Sequence, residues 1–188
     1  SHALPKRLHL LHSLQHYAKV EHQNKAELSP DRGNVLKVQR FLKEGGLLAK
    51  RVSAVGLSAS YAHKCRPVVY FHELISNLLE QGWPVVLVGG ADEKETVQLE
   101  KEFSGKVHSV AGQVFALESA ELLGQASLVV TNDTSVSHLA EAMRTTAIVL
   151  FGATVREFGY APFLRESKML ETNEVLSCRP CSRDGRGK

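Results

Sequence analysis

Apolar residues in this chain come in short blocks set between longer polar stretches of helix-favouring composition. From residue 46 onward the blocks RVSAVGLS (51–58), PVVLVGG (84–90), KVHSV (106–110), SLVV (127–130), TAIVLFG (146–152) and SKMLE (167–171) have the length of strands, and most are rich in β-branched residues. Between them PVVYFHELISNLLEQG (67–82), DEKETVQLEKEF (92–103), ALESAELLGQA (116–126) and VSHLAEAM (136–143) carry apolar residues at helical spacing. Strands alternating with helices at this interval predict βαβ units, and hence an α/β, Rossmann-like parallel sheet with helices on both faces. Upstream, LPKRLHLLHSLQHYAKV (4–20) has leucines at 8, 10, 11 and 14 and reads as an amphipathic helix, while HQNKAELSPDRGN (22–34) is polar and turn-rich and reads as a linker. No internal repeat or low-complexity segment interrupts this pattern.

The strands run into small or polar residues: GLSAS after the first, GGADE after the second, AGQ after the third, TNDTS after the fourth and FGAT after the fifth. In a parallel sheet all these turns share the carboxyl edge, where doubly wound proteins bind ligands. The most polar of them is the corner that places Asn132, Asp133, Thr134, Ser135 and His138 between a strand and a helix. Two readings of that corner stand side by side. Asp133 or Thr134 serves as an N-cap and satisfies free amide donors, or the helix N-terminus, with its unpaired N–H groups and dipole, holds an anion. No G-x-G-x-x-G follows the first strand and no G-x-x-x-x-G-K-[ST] occurs, which argues against a dinucleotide-dependent dehydrogenase and a P-loop nucleotidase.

Composition narrows the class further. At 188 residues the chain suffices for one domain plus a helical extension. Hydrophobic residues at 43% and charged residues at 23% describe an ordinary globular protein, and no apolar run approaches the roughly 20 residues of a membrane-spanning helix. The formal charge is +3, with much of the excess base in PKRLHLLH and CRPCSRDGRGK at the two ends rather than on one face, so nucleic acid is not an expected partner. Three cysteines without a secretion signal suggest a reduced, cytosolic setting. Cys178 and Cys181 form a C-x-x-C that supplies half of a zinc site, and no metal is expected. The Ser-His opening without methionine and the abrupt basic ending read as cut ends, as in a piece of a larger protein.

VVLVGGADEKE, the run ALESAELLGQASLVVTNDTSVSHLAEAM, VLFGAT and CRPC, in that order and spacing, resemble the C-terminal half of the ADP-heptose:lipopolysaccharide heptosyltransferase family. SASYAHKCRP resembles that family's serine-to-lysine loop, and HALPKRLHLLHSL the segment by which it leaves its N-terminal domain. The resemblance covers most of the chain. It implies the C-terminal half of a GT-B fold, with residues 1–45 a helix and linker from an absent acceptor domain and 46–188 the Rossmann-like domain that binds the sugar nucleotide. It also implies an inverting glycosyltransferase of lipopolysaccharide inner-core assembly that takes ADP-heptose as donor and a lipid A-core acceptor through the absent half. That half would carry the catalytic base, so residues 1–188 alone are expected to be inactive. No cofactor or metal is implied. The setting that the resemblance implies is cytoplasmic, which is compatible with peripheral contact at the inner face of the inner membrane.

The same resemblance assigns roles residue by residue. Asp133 matches the aspartate that contacts donor heptose hydroxyls, and the amides of Thr134, Ser135 and Val136 would meet the pyrophosphate. Lys64 matches the loop lysine and would stabilise the leaving ADP, a role consistent with the need of a diphosphate for a cation beside a helix N-terminus. Ser60 could add a hydroxyl. Glu93, with Asp92 a close competitor, matches an acidic position able to accept from ribose hydroxyls, and His138 would hold the loop or reach the sugar. Each has a plainer counterpart: Lys64 a solvated lysine, Glu93 an acid drawn to a helix start, His138 a packed helix residue. Arg66 stands where the family usually has tryptophan, Ser135 where it has glycine and Ala153 where it has proline. Two rival readings remain: another GT-B enzyme with a different donor, and a non-catalytic α/β binding domain.

Overall fold

The computed structural model describes residues 27–90 and 94–182. The helix read over 4–20, most of the polar tract after it, and both Asp92 and Glu93 lie outside the described residues. The predicted alternation is present throughout. Strands β1 (Ser53–Gly56), β2 (Val85–Val88), β3 (Val107–Ser109), β4 (Leu128–Asn132), β5 (Ala147–Leu150) and β6 (Lys168–Leu170) form one sheet in the order β3-β2-β1-β4-β5-β6. Every pairing in it is parallel. The helices are α1 (Arg32–Glu44), α2 (Val68–Glu80), α3 (Lys94–Glu102), α4 (Ala116–Gln125) and α5 (Ser135–Ala142), with 3-10 turns at Ala62–Lys64 and Arg156–Phe158.

All residues of β1 and β2 are buried, as in a parallel sheet covered on both sides. Period-two alternation then sorts them between two cores. Ala54, Val86, Val88 and Val129 pack with Val38 and Leu42 of α1, Leu122 and Leu123 of α4 and Ala140 of α5. Val55, Val85 and Leu87 pack with Phe71, Ile75 and Leu78 of α2 and Leu99 of α3. Fully burying one such aliphatic or aromatic side chain contributes about 1.5–3 kcal/mol.

Helix α1 is absent from the pattern read above, which ends the linker at residue 34 and leaves 35–45 unassigned. Asp31 caps it by accepting from the Asn34 N–H at 2.9 Å, and Val38 and Leu42, four apart, fix its inward face. Lys37 reaches the Glu118 carboxylate of α4 at 2.8 Å. That lysine, together with the Phe115 N–H bonded to the same carboxylate, holds Glu118 below the usual carboxylate range. The packed body therefore begins before residue 46.

The topology matters most between β1 and β4. Strand β1 continues through α2 on one face to β2 on its one side, and its other neighbour β4 continues through α5 on the opposite face to β5. The two chains thus part at the carboxyl edge and open a crevice, the switch point of a doubly wound sheet. Backbone approach is tightest there: Gly56 pairs with Thr131, and a Cβ on Gly56 would lie 2.7 Å from Thr131 Oγ1. Thr131 Oγ1 is buried with no hydrogen-bond partner among the described residues. Gly56→Ala should accordingly destabilise the fold by about 1–3 kcal/mol in denaturant titration. Thr131→Ala in the same background should recover most of that loss, since it removes the obstructing and unpartnered hydroxyl, whereas a Gly56→Ala variant as stable as the parent would show that β1 and β4 are not so closely apposed.

Candidate functional site

The crevice is walled on one side by the loop from Leu57 to Pro67, which leaves β1, and on the other by the corner that joins β4 to α5. Asn132, at the end of β4 and fully buried, ties the walls together: its amide donates to the Leu57 carbonyl and its carbonyl accepts from the Arg66 N–H at 3.2 Å. This fixes where the loop turns back and delivers Lys64 to the crevice.

Thr134, not Asp133, caps α5. Its hydroxyl accepts from the Val136 N–H at 3.0 Å, and the Ser137 hydroxyl donates to its carbonyl at 2.7 Å. Asp133 is thereby free for another role. Its N–H donates to Leu150 O at 3.1 Å, which carries β4–β5 pairing one residue past the strand. Its carboxylate Oδ2 accepts from Thr154 Oγ1 at 2.7 Å and lies 2.6 Å from Lys64 Nζ. Lys64 Nζ also donates to Asp133 O at 3.3 Å. The side chains of Lys64 and Asp133 are only 13% and 4% exposed. A lysine so enclosed is no solvated surface residue; its ammonium is held by a charge-assisted bond.

The remaining residues named from sequence fall around this pair with less engagement. Ser135 is exposed at the first turn of α5, and Val136 is half-buried with its N–H already taken by the cap. Ser60 is exposed in the loop that carries Lys64. His138 is exposed on α5, its ring 6.4 Å from that of Tyr160, and Tyr160 in turn lies 5.9 Å from Lys64 Nζ. The Arg66 guanidinium stacks on Tyr70 at 4.1 Å. A cavity of about 670 Å³ opens beside Lys64, Asn132 and Gly152 and runs beneath α2 toward Glu171. Lys64 lines this cavity, whereas Asp133 and the α5 N-terminus are outside its lining. Among the described residues no cluster of three or more side chains could hold a metal, and no helix is long and apolar enough to cross a membrane. Cys178 and Cys181 are free thiols, and the Cys181 N–H donates to Ala153 O at 3.0 Å, so the C-x-x-C segment packs on the turn after β5.

Two participants carried no assignment in the sequence. Thr154, fully buried, orients Asp133; the FGAT turn was visible, but its partner depends on how two turns meet. Asn132 was visible as part of the polar corner without a role.

The chemical capacity of the site follows. It has one enclosed cation, one enclosed carboxylate and a helix N-terminus at a single point of the sheet edge. An anion with several oxygens can engage the lysine and the outermost amides of α5, while the carboxylate, relieved of part of its partnership, accepts from hydroxyl groups. A buried pair of this kind is sensitive to removal of one member. Lys64→Ala should lower stability by about 3–5 kcal/mol by stranding the Asp133 charge. Adding Asp133→Asn should restore part of that, so the double variant is more stable than the single one in chemical denaturation; strictly additive losses would mean that the two side chains are not coupled.

Comparison with known proteins converges on one family. The model for glycosyltransferase family 9 (heptosyltransferase) matches residues 1–185. Lipooligosaccharide heptosyltransferase 2 of Haemophilus influenzae is 26% identical over 160 residues, which are 79% of this chain and 45% of that protein. The structure of a glycosyl transferase family 9 protein from Veillonella parvula superposes with a TM-score of 0.73 at 20% identity over 80% of this chain and 44% of its own. That of an Escherichia coli heptosyltransferase with ADP-2-deoxy-2-fluoro heptose gives 0.65 at 23% identity over 90% of this chain and 49% of its own. The chain spans just under half the length of these relatives. The parallel sheet with its switch point and the family match together place this chain in glycosyltransferase family 9, the heptosyltransferases.

Proposed function

We propose that this chain is the donor-binding half of a heptosyltransferase of lipopolysaccharide inner-core assembly, with ADP-heptose as its sugar nucleotide. The observation that carries the reading is the Lys64–Asp133 pair, 2.6 Å apart at the N-terminus of α5 and at the switch point of the sheet. Family membership supports heptosyl transfer, and the neighbour of like fold that holds ADP-2-deoxy-2-fluoro heptose supports an ADP-linked donor.

In this reading the diphosphate lies between Lys64 and the amides at the start of α5, those of its cap Thr134 and of Ser135. The Val136 amide remains with the cap, which narrows the phosphate contacts named from sequence. Asp133 turns its carboxylate to the heptose hydroxyls, with Ser60 and His138 at the rim and Glu93 left for the ribose. The acceptor hydroxyl loses its proton to a carboxylate of the other half, and its oxygen attacks the anomeric carbon. The bond from that carbon to the diphosphate breaks with inversion, and ADP departs with the electron pair. Lys64 and the α5 dipole stabilise the negative charge that develops on it. This division of labour assigns no metal or cofactor, and it leaves residues 1–188 able to bind donor but not to transfer sugar. The acceptor is a lipid A-core, which agrees with a cytoplasmic enzyme working at the inner face of the inner membrane.

ADP, without added metal, should raise the melting temperature of the chain. At about 100 times the dissociation constant the stabilisation is roughly 2.7 kcal/mol, and Lys64→Met should weaken binding by at least about tenfold, the loss of one hydrogen bond to a charged group. A stronger response to UDP or GDP than to ADP assigns a different donor, a departure for which Arg66, Ser135 and Ala153 mark the places. No response to any nucleoside diphosphate makes the domain something other than a donor site.

A further inference from the structure

The carboxylate of Asp133 is held by more than its two direct partners. Thr154, which donates to it, sits in the turn after β5, and that turn is gripped from outside by Arg179. The guanidinium donates from Nε to Gly152 O and from Nη2 to Thr154 O, both at 2.8 Å, and Nη2 lies 2.5 Å from the Glu171 carboxylate just past β6. The side chain is 11% exposed. Next to it the Cys181 N–H bonds Ala153 O at 3.0 Å, so three successive carbonyls of the turn, those of residues 152, 153 and 154, receive donors from the C-terminal segment. A fork with two donors set on carbonyls two residues apart leaves the turn little freedom, because a guanidinium is planar and its N–H directions are fixed. That turn carries the Thr154 hydroxyl, which orients Asp133.

We propose that Arg179 is a positioning residue for the Asp133 carboxylate, acting through the turn at residues 152–154 and the Thr154 hydroxyl. The C-x-x-C segment then has a function that needs no metal: it carries the arginine between its two cysteines and anchors it by the Cys181 backbone. Glu171 completes the arrangement by holding the far side of the guanidinium, so that Arg179 is aimed at the turn rather than at solvent. The consequence for ligand binding rests on the reading that Asp133 receives the donor sugar, since a carboxylate that must meet hydroxyls gains from being fixed before they arrive.

Two measurements on the chain test this separately. The first needs no ligand and follows the side-chain carboxyl ¹³C resonance of Asp133, identified by its loss in Asp133→Asn. Thr154→Val should move that resonance, Arg179→Ala should move it in the same direction, and Arg179→Lys, which keeps one donor toward the turn, should move it less. Arg144→Ala, distant from the turn, serves as the control that leaves it in place. A resonance unmoved by Arg179→Ala overturns the proposal, as does one unmoved by Thr154→Val. The second is calorimetric: Arg179→Ala should weaken ADP-heptose by about tenfold, the size of a lost hydrogen bond to a charged group, with ADP alone changed less than about twofold and Arg179→Lys recovering most of the loss. Equal weakening of both ligands would show that Arg179 supports the fold at large and would overturn the positioning role. A parent chain that binds neither ligand removes the donor reading, and the carboxyl resonance still decides what Arg179 does.

Discussion

Because β2 lies on one side of β1 and β5 on the far side of β4, right-handed crossovers send the chains leaving these two neighbouring strands to opposite faces of the sheet, and a gap opens between them. Polar groups buried beside such a gap cost free energy unless they are hydrogen-bonded, a cost that the Thr131 hydroxyl leaves unmet among the described residues. Asn132 bonds the loop on the far wall, and Thr134 turns its hydroxyl onto the helix it starts. Lys64 and Asp133, charged and enclosed, bond each other. The polar groups of the proposed binding site are therefore the same ones that allow the strands to end there. The close fit at Gly56 and Thr131 belongs to this constraint as well, since any wider spacing of β1 and β4 would separate the two walls.

The pair occupies an intermediate position between a structural ion pair and a reactive one. Each partner is satisfied in the free protein, yet each has further bonding capacity: an ammonium has three donors and a carboxylate about four acceptor directions. Asp133 uses two of its directions on Lys64 and Thr154. A ligand that brings both negative charge and hydroxyl groups can address the two side chains at once, whereas an anion alone competes with Asp133 for the lysine. In the proposed donor site, discrimination between a sugar nucleotide and a bare nucleotide resides in the carboxylate and in whatever fixes it.

The sheet was legible because every strand is short and followed by a small or polar turn, and the central strands are apolar on both faces; VVLV at 85–88, buried throughout, shows the signal in its clearest form, while VHS in β3 and KML in β6 carry it less clearly. Helix α1 carried a signal too, in Val38 and Leu42, but the turn-rich tract before Asp31 masked the start of the period. At the polar corner the residue types left Asp133 and Thr134 as equal candidates for the cap, and local chemistry could not separate them because both cap well. What separates them is distant: Thr154 and Lys64 claim the Asp133 carboxylate from 21 and 69 residues away. Lys64 itself was singled out by family resemblance and the needs of a diphosphate, for nothing in YAHKCRP shows that the loop folds back over β4. Arg179 lay beyond reach for the same reason, since its partners are backbone carbonyls, which every residue has.

Donor binding is proposed at this crevice and not at another edge of the sheet. Backbone amide resonances followed while ADP-heptose is added to the chain test it directly. The largest shifts are expected at Lys64, Thr134 and Ser135, with little change at Trp83, Phe103 and Lys106, which line a separate cavity at the opposite, amino-terminal edge. Shifts concentrated at those last three residues, with Lys64 and Thr134 unmoved at saturation, would contradict it.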